Sequence, residues 1–439
     1  MQIRSMLNWA MRRNQVKYFI RRAANEGGGV SDEIRLSRFN AVWKDAYENV
    51  PFYAEWKVKH SLPDAIASLK ELSSWPVLEK KDIILNAGKF VRPDYAGSFQ
   101  DSVTGGSTGE PLHFRIMPGE SLPGNANMWI GRARMGIYPD TRTFLFWGHR
   151  HLHGQGVRSD FHFAVRRFKD WLTNYYRADA TDLSPQALKR VMRSLLRFRP
   201  KCIISYSASL LALVKNCSEC REACRHLGIE AILCTAGPLT KSERDIISDF
   251  FAAPVGMEYG SMECSVMAYQ TPMTGGRYEV FDSTHILHAD VDAFGLKKPI
   301  LVTTLYQRYF PLFRYRIGDY MEGERVKDDG TIASFAEVSG RTGDLIDLDG
   351  KIRFHGYSMM VCAESNKKII AYQLRVSKKR RKVVFVAQTI HPLTDDEKRE
   401  VVALASDVSN VPEEMISVVE SDQLIKAPSG KIKLVVFED

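Results

Sequence analysis

From residue 39 to about 338 the sequence alternates helical and strand-like segments, and this alternation constrains the fold more than any other feature. Residues 184–198, 211–227 and 240–251 carry helical patterns, 202–205 reads as a short buried strand, and 300–304 is a strand rich in β-branched residues. Such alternation packs helices over sheets, so the expected fold class is α/β. The C-terminal stretch differs. Residues 371–388 read as a hairpin turning at Lys378-Lys379-Arg380-Arg381. A helix over 394–407 follows, with Thr394 as N-cap and acidic residues in its first turn, and then a strand over 415–420. The expected organisation is an N-terminal basic helix and linker (1–29), a large body (30–340) and a small α+β domain (341–439).

The 439 residues are 44% apolar and 26% charged, a globular composition that excludes a disordered or fibrous chain. No apolar run approaches the roughly 18 residues of a membrane span. Residues 1–15 are interrupted by Arg4, Asn8, Arg12 and Arg13, unlike a signal peptide. A cytoplasmic location with seven reduced cysteines is expected. The net charge of +9 suits nucleic acid, anionic lipid or phosphorylated ligands without choosing among them. Residues 1–22 read as a basic amphipathic helix, broken by Glu26-Gly27-Gly28-Gly29. Two readings stand for that helix: docking on the body of its own protein, or peripheral contact with a membrane surface.

Thr104-Gly105-Gly106-Ser107-Thr108-Gly109-Glu110-Pro111 packs three glycines and three hydroxyl residues into six consecutive positions. Glycine lets backbone N–H groups approach an anion, and hydroxyls add donors, so this is the composition of a loop that wraps phosphate. The pattern G-x-x-x-x-G-K-[S/T] is absent, and residues 112–116 read as a strand where a P-loop opens a helix. A plain surface turn is the competing reading.

The loop resembles the phosphate-binding signature of the adenylate-forming superfamily of acyl-CoA ligases and peptide-synthetase adenylation domains. Four further motifs follow in the order that family requires. Glu258-Tyr259-Gly260-Ser261-Met262-Glu263 resembles its Tyr-Gly-x-Thr-Glu motif, and Arg314-Tyr315-Arg316-Ile317-Gly318-Asp319 its Arg-Tyr-Arg-Thr-Gly-Asp motif. Gly340-Arg341-Thr342-Gly343-Asp344 resembles the hinge, and Ala427-Pro428-Ser429-Gly430-Lys431-Ile432 the terminal lysine motif. Asp182-Leu183-Ser184, Arg199-Pro200-Lys201 and the run from Ser205 to Leu210 are similar to the phenylacetate–coenzyme A ligase branch, nearest its relatives among capsule and exopolysaccharide biosynthesis proteins.

The resemblance implies a large α/β body and a mobile C-terminal domain. It implies that a carboxylate joins ATP to give an acyl-adenylate and pyrophosphate, after which the acyl group passes to a thiol or amine. An anion must attack a polyanion, so positioning and charge neutralisation do the catalysis. Thr104, Gly105, Gly106, Ser107, Thr108 and Gly109 would hold the β- and γ-phosphates. Gly237, Tyr259 and Gly260 would line the nucleotide site, Asp319 would accept hydrogen bonds from the ribose, and Arg341 would reach ribose or phosphate. Glu263 would offer Mg²⁺ a hard oxygen. Lys431 would bridge the carboxylate and the α-phosphate as the catalytic cation.

Three departures stand out. Met262 takes a threonine position, Ile317 another, and Gly343 replaces the first hinge aspartate. Trp147, His149 and His153 fall where relatives line the acyl pocket, and a metal site on His149, His151 and His153 is the alternative. Cys217, Cys220 and Cys224, at i, i+3, i+7, read as a buried thiol stripe, with zinc as the alternative. Six basic residues between Arg375 and Lys382 suggest contact with acceptor phosphates or a solvated turn; without aromatic interleaving, nucleic acid is not expected. The expected ligands are ATP, Mg²⁺ and coenzyme A, and the expected partners a small carboxylic acid, an acceptor thiol or amine, and a second copy of the chain. Three functions compete: acyl–coenzyme A synthesis, acyl transfer to an amine or carrier protein, and a non-catalytic nucleotide-binding paralogue.

Overall fold

In the computed structural model, nine strands line up in one sheet. The structure describes Met6 and residues 30–104, 112–148, 157–290, 298–341, 344–348, 350–426 and 432–438, without the side chains of 157–164, 355 and 357. Five parallel strands form one half of the sheet, in the order Tyr175–Asp179, Thr143–Trp147, Cys202–Tyr206, Ala231–Thr235 and Val255–Ser261. Four antiparallel strands continue it, Ser265–Gln270, Tyr278–Val280, Ile332–Phe335 and Arg325–Val326. The central parallel strands Cys202–Tyr206 and Ala231–Thr235 are buried throughout, as strands covered on both faces must be.

Most expected elements appear, with their start signals in use. Helix Pro185–Phe198 begins after Ser184, whose hydroxyl accepts from the Ala187 N–H at 3.4 Å. Helix Lys241–Phe251 starts with a reciprocal capping box between Thr240 and Glu243. The expected helix over 211–227 is corrected: it breaks at Cys217 into helix Ser207–Asn216, a 3₁₀ turn at Ser218–Cys220 and helix Arg221–Arg225. The three cysteines therefore share no single helix face. Cys217 and Cys224 are buried and Cys220 is half-buried. Burial pushes their thiols up, to about 11 at Cys217 and about 12 at Cys224, and Cys224 packs its sulfur 3.5 Å from that of Met192. Cys217 and Cys224 are packed thiols, but the continuous buried stripe expected from the i, i+3, i+7 spacing is corrected by the break in the helix and by half-buried Cys220.

A second sheet is wholly antiparallel: His285–Ala289, Lys298–Thr304, Tyr315–Glu322 and Glu337–Arg341. Strands Gln100–Val103 and His113–Ile116 form a hairpin, so the expected strand after the glycine-rich loop is present.

Beyond Arg341 a separate apolar core gathers Ile346, Phe354, Leu374, Val376, Phe385, Val401 and Ala405. It lies under the hairpin Ile369–Ser377/Lys382–Thr389, flanked by parallel partners Ile416–Glu420 and Val435–Phe437, and under helix Asp395–Ser409 with its Thr394–Glu397 capping box. This is the expected small α+β unit, and the fold class is α/β with such a unit appended. Among the described residues no helix is long and apolar enough to cross a membrane. The basic helix expected over 1–22 falls outside the described residues, apart from exposed Met6.

Candidate functional site

The five parallel strands point their carboxyl ends one way, and open α/β sheets bind ligands beyond those ends. Trp147, Asp179, Tyr206 and Thr235 terminate four of the strands there, and the Tyr259–Gly260–Ser261 segment ends the fifth. Gly260 is required by packing. The sheet carries a bulge between Tyr259 and Gly260, and a Cβ at Gly260 would stand 2.6 Å from the Ser265 carbonyl oxygen. Gly237 follows Thr235 at the end of its strand, and its carbonyl accepts from the Ser207 hydroxyl at 2.7 Å.

Asp319 gathers the site. Strand register sets it directly opposite Arg341, and the Arg341 guanidinium donates through Nε to its Oδ1 at 2.5 Å. The Tyr259 hydroxyl, from the other sheet, donates to its Oδ2 at 3.1 Å. One carboxylate thus ties both sheets together at the ends of the parallel strands. Asp319 and Tyr259 are buried, and burial beside Asp319 pushes the Tyr259 hydroxyl up, so it stays a donor. Asp319 in turn holds the Arg341 guanidinium charged.

Glu263 lies nearby and is 6% exposed. Burial pushes its carboxyl up, Arg341 and hydrogen bonds pull it back, and Asp319 opposes ionisation. The Tyr315 hydroxyl reaches its Oε1 at 3.5 Å, and no ion pair touches it among the described residues. A buried carboxyl short of positive charge suits a divalent cation. Among the described residues no three His, Cys, Asp or Glu side chains cluster as a self-sufficient metal site. That combination fits Mg²⁺, which binds through one or two carboxylates together with substrate phosphates. The Glu263 turn is clamped from behind. Gln307 Nε2 donates to the Glu263 carbonyl at 2.7 Å, and His285 Nε2 (2.8 Å) and the Tyr306 hydroxyl (3.0 Å) reach the Cys264 carbonyl. Sequence reasoning missed this clamp, because residues over twenty positions apart give no local signal. Asp344, which the sequence placed in the hinge motif without a role at the site, is half-buried, with Arg341 and Asp319 acting on it, and burial pushes its carboxyl up to about 6.

The other motif residues divide. Thr104 closes the neck of the glycine-rich loop: its hydroxyl accepts from the Leu112 N–H at 2.9 Å, and its own N–H donates to the Leu112 carbonyl at 2.9 Å. Gly105, Gly106, Ser107, Thr108 and Gly109 lie outside the described residues. So do His149, His153, Gly343 and Lys431. The residues flanking Lys431 are anchored. Lys426 pairs with Ile432 in an isolated bridge, and Gln373 Nε2 donates to the carbonyls of Ile425 (2.9 Å) and Lys433 (2.8 Å). The Lys426 ammonium donates to the carbonyl of Thr181, just past the end of the edge strand. Trp147 packs on Tyr206 with ring centroids 4.2 Å apart. Arg314 and Arg316 are structural, the first donating to the Leu72 carbonyl at 2.7 Å and the second pairing with Glu79 at 2.8 Å. Met262 is 59% exposed beside Glu263.

No family model matches the chain. Protein CapK of Staphylococcus aureus is 23% identical over 292 residues, 66% of this chain. The match spans 63% of CapK, less than two thirds of its length. Among solved structures, 2-hydroxyisobutyryl-CoA ligase in its postadenylation state with R3-HIB-AMP aligns at a TM-score of 0.69 and 16% identity. That alignment covers 93% of this chain and 89% of the ligase. The same ligase with 2-HIB-AMP and CoA in its thioesterification state aligns at 0.55 and 15% identity, over 92% of this chain and 89% of its own. The chain therefore shares the fold of 2-hydroxyisobutyryl-CoA ligase over nearly its whole length.

Proposed function

We propose that the chain is an ATP-dependent ligase that activates a small carboxylic acid as its acyl-adenylate and passes the acyl group to coenzyme A. The observation that carries this reading is the convergence of Tyr259 and Arg341 on Asp319 at the carboxyl ends of the parallel strands, with buried Glu263 alongside. Asp319 offers a fixed acceptor for ribose hydroxyls, and Arg341 offers a cation to phosphate. Tyr259, locked by Asp319, forms a wall for the base. Bound Mg²⁺, held by Glu263, would neutralise phosphate charge. Lys431 follows Lys426, which is tied to Thr181, and precedes Ile432, which pairs with Lys426, and it supplies the cation between carboxylate and α-phosphate. The carboxylate attacks the α-phosphorus, the bond to the bridging oxygen breaks, and pyrophosphate leaves with the electron pair. The thiolate of the acceptor then displaces AMP from the acyl carbon. The C-terminal unit, joined near residue 341, moves between the two steps.

Acid-dependent ATP–pyrophosphate exchange tests this. Exchange with one acid, abolished in Lys431→Ala, is the expected result. Nucleotide binding without exchange for any acid would point to a non-catalytic paralogue, and neither binding nor exchange would overturn the reading. A second reading, transfer to an amine, rests on the similarity of residues 182–184, 199–201 and 205–210 to the phenylacetate–coenzyme A ligase branch, nearest its capsule-type relatives. Hydroxylamine-independent release of AMP with an amino sugar, but not with coenzyme A, would select it. The basic turn Lys378–Arg381 joins the paired strands Ile369–Ser377 and Lys382–Thr389. Replacing its four cations with alanine is expected to raise the acceptor KM several-fold while exchange is unchanged.

A further inference from the structure

The net charge is concentrated. Residues 157–201 hold eleven basic and four acidic side chains, a net +7 of the chain's +9. Within this stretch lies a groove of about 460 Å³, between helix Val157–Leu172 and the beginning of the edge strand Tyr175–Asp179. It opens at the amino end of that strand. The candidate adenylation site lies beyond the carboxyl ends, so the two are separated by the length of a five-residue strand, roughly 15 Å.

Among the described residues, four arginines line the groove, Arg142, Arg166, Arg167 and Arg177, with Asp170 as the one carboxylate. Arg177 Nε donates to both Asp170 oxygens, at 3.0 and 2.9 Å, and Arg166 Nε stands 3.9 Å from the same group. One carboxylate thus serves two guanidinium groups, and the lining keeps an excess of positive charge. The Arg142 guanidinium is held over the Phe198 ring, 4.4 Å from its centroid, with Nε donating to the Phe198 carbonyl at 2.8 Å. Beside the arginines, Phe168 and Trp171 stack at 5.9 Å while remaining 60% and 54% exposed. Two large rings left in water at the rim of a concave basic surface are costly unless a ligand covers them.

Guanidinium forks match phosphate oxygens, and flat rings stack on indole and phenyl faces. The volume is that of a small-molecule pocket. We propose that this groove is a second ligand site, which takes a nucleoside phosphate with its phosphate among Arg166, Arg167 and Arg177 and its base against Trp171 and Phe168. A concave site with Arg177 only 21% exposed favours a small ligand over a flat lipid surface.

AMP is the probe. Calorimetry on the full chain is expected to show two AMP sites. Arg166→Gln/Arg167→Gln, both on the open side of the helix, is expected to weaken one of them about tenfold or more and to leave pyrophosphate exchange unchanged. Asp319→Ala is expected to weaken the other roughly thirtyfold. AMP should quench the fluorescence of Trp171, seen as a signal missing in Trp171→Phe. A single arginine-sensitive site that Asp319→Ala leaves intact would uphold the groove and overturn the proposed ligase site instead. AMP binding untouched by the arginine substitutions overturns the groove proposal. Inorganic phosphate binding as tightly as AMP overturns the base contact. Arginine-dependent binding to phosphatidylserine vesicles without AMP binding overturns the small-ligand assignment.

Discussion

Asp319 is the residue on which most of the candidate site depends. Its two oxygens are used by partners from different sheets, so its removal frees the Tyr259 hydroxyl and uncouples Arg341 at once. A hydrogen bond to a charged group contributes about 2 kcal/mol, so Asp319→Ala is expected to weaken nucleotide binding roughly thirtyfold, read by calorimetry. Glu263→Gln keeps shape and burial but removes the negative charge. It should raise the Mg²⁺ concentration needed for half-maximal exchange and leave thermal stability equal or higher, because the native carboxyl is held up by burial. Asp344 titrates in the opposite sense to most carboxylates. Its folded value of about 6 lies above its ordinary value of 3.8, so it stabilises the fold while protonated, and that contribution fades as pH rises through about 6. Asp344→Asn should therefore gain melting temperature relative to the native chain between pH 5 and pH 7.

At the scale of elements, strand His285–Ala289 carries an acid-sensitive contact. His288 is 4% exposed, and neither ring nitrogen has a hydrogen-bond partner among the described residues. Burial, Arg314 and Arg35 hold it down to about 4, with Asp329 opposing. Arg35, on helix Asp32–Asn49, bonds Asp329 (2.8 Å) and Thr331 (2.7 Å), so this region links the first described helix to the second half of the body. A folded value below 6.5 means the unfolded chain binds the extra proton. Stability is complete above pH 6.5 and falls as pH drops toward 4, by about 3 kcal/mol in total. Denaturant melts at pH 7 and pH 4.5 should differ by most of that amount, and His288→Leu should flatten the difference. Strand Val255–Ser261 makes a second test. Gly260→Ala drives a methyl against the Ser265 carbonyl and is expected to cost about 1–3 kcal/mol, seen as a lower melting temperature.

In the whole molecule, the C-terminal unit sits on the body through polar contacts and through Ile370, which joins the body's apolar core with Ile390 and Ile432 packed against it. The Lys215 ammonium, at the end of helix Ser207–Asn216, donates to the carbonyls of Ile369 (2.9 Å) and Ala363 (3.4 Å). The Thr240 hydroxyl, which also caps its own helix, donates to Glu364, and Gln388 Nε2 donates to the Leu183 carbonyl at 3.3 Å. Burial lowers the Lys215 ammonium, with Glu243 and Glu364 opposing that shift. Lys215→Met removes the donor but keeps the stem. Limited proteolysis is expected to cut faster between residues 341 and 368, with secondary structure unchanged. Equal cleavage would mean that the remaining contacts hold the unit in place.

The sequence by itself determined the elements whose start signals are local. Thr394 announced its helix because an N-cap needs only a side-chain oxygen and the N–H groups that follow it, and the helical patterns over 184–198 and 240–251 were local too, while the caps at Ser184 and Thr240 emerged from the structure. The hairpin at residues 378–381 was legible for the same local reason, as were the α/β alternation and the order of the five motifs. The break at Cys217 was not: residues 209–214 are buried together, so apolar periodicity runs on with nothing to mark an end. Tertiary structure alone decided the site. Asp319 meets Arg341 through strand register and Tyr259 through the approach of two sheets, and Gln307 finds the Glu263 carbonyl across 44 residues. It also decided where the charge gathers, because arginines at 142, 166, 167 and 177 become neighbours only when the edge strand packs against its helix. Local rules act over a few bonds, whereas the charge and burial that set the chemistry depend on groups the chain brings together only by folding.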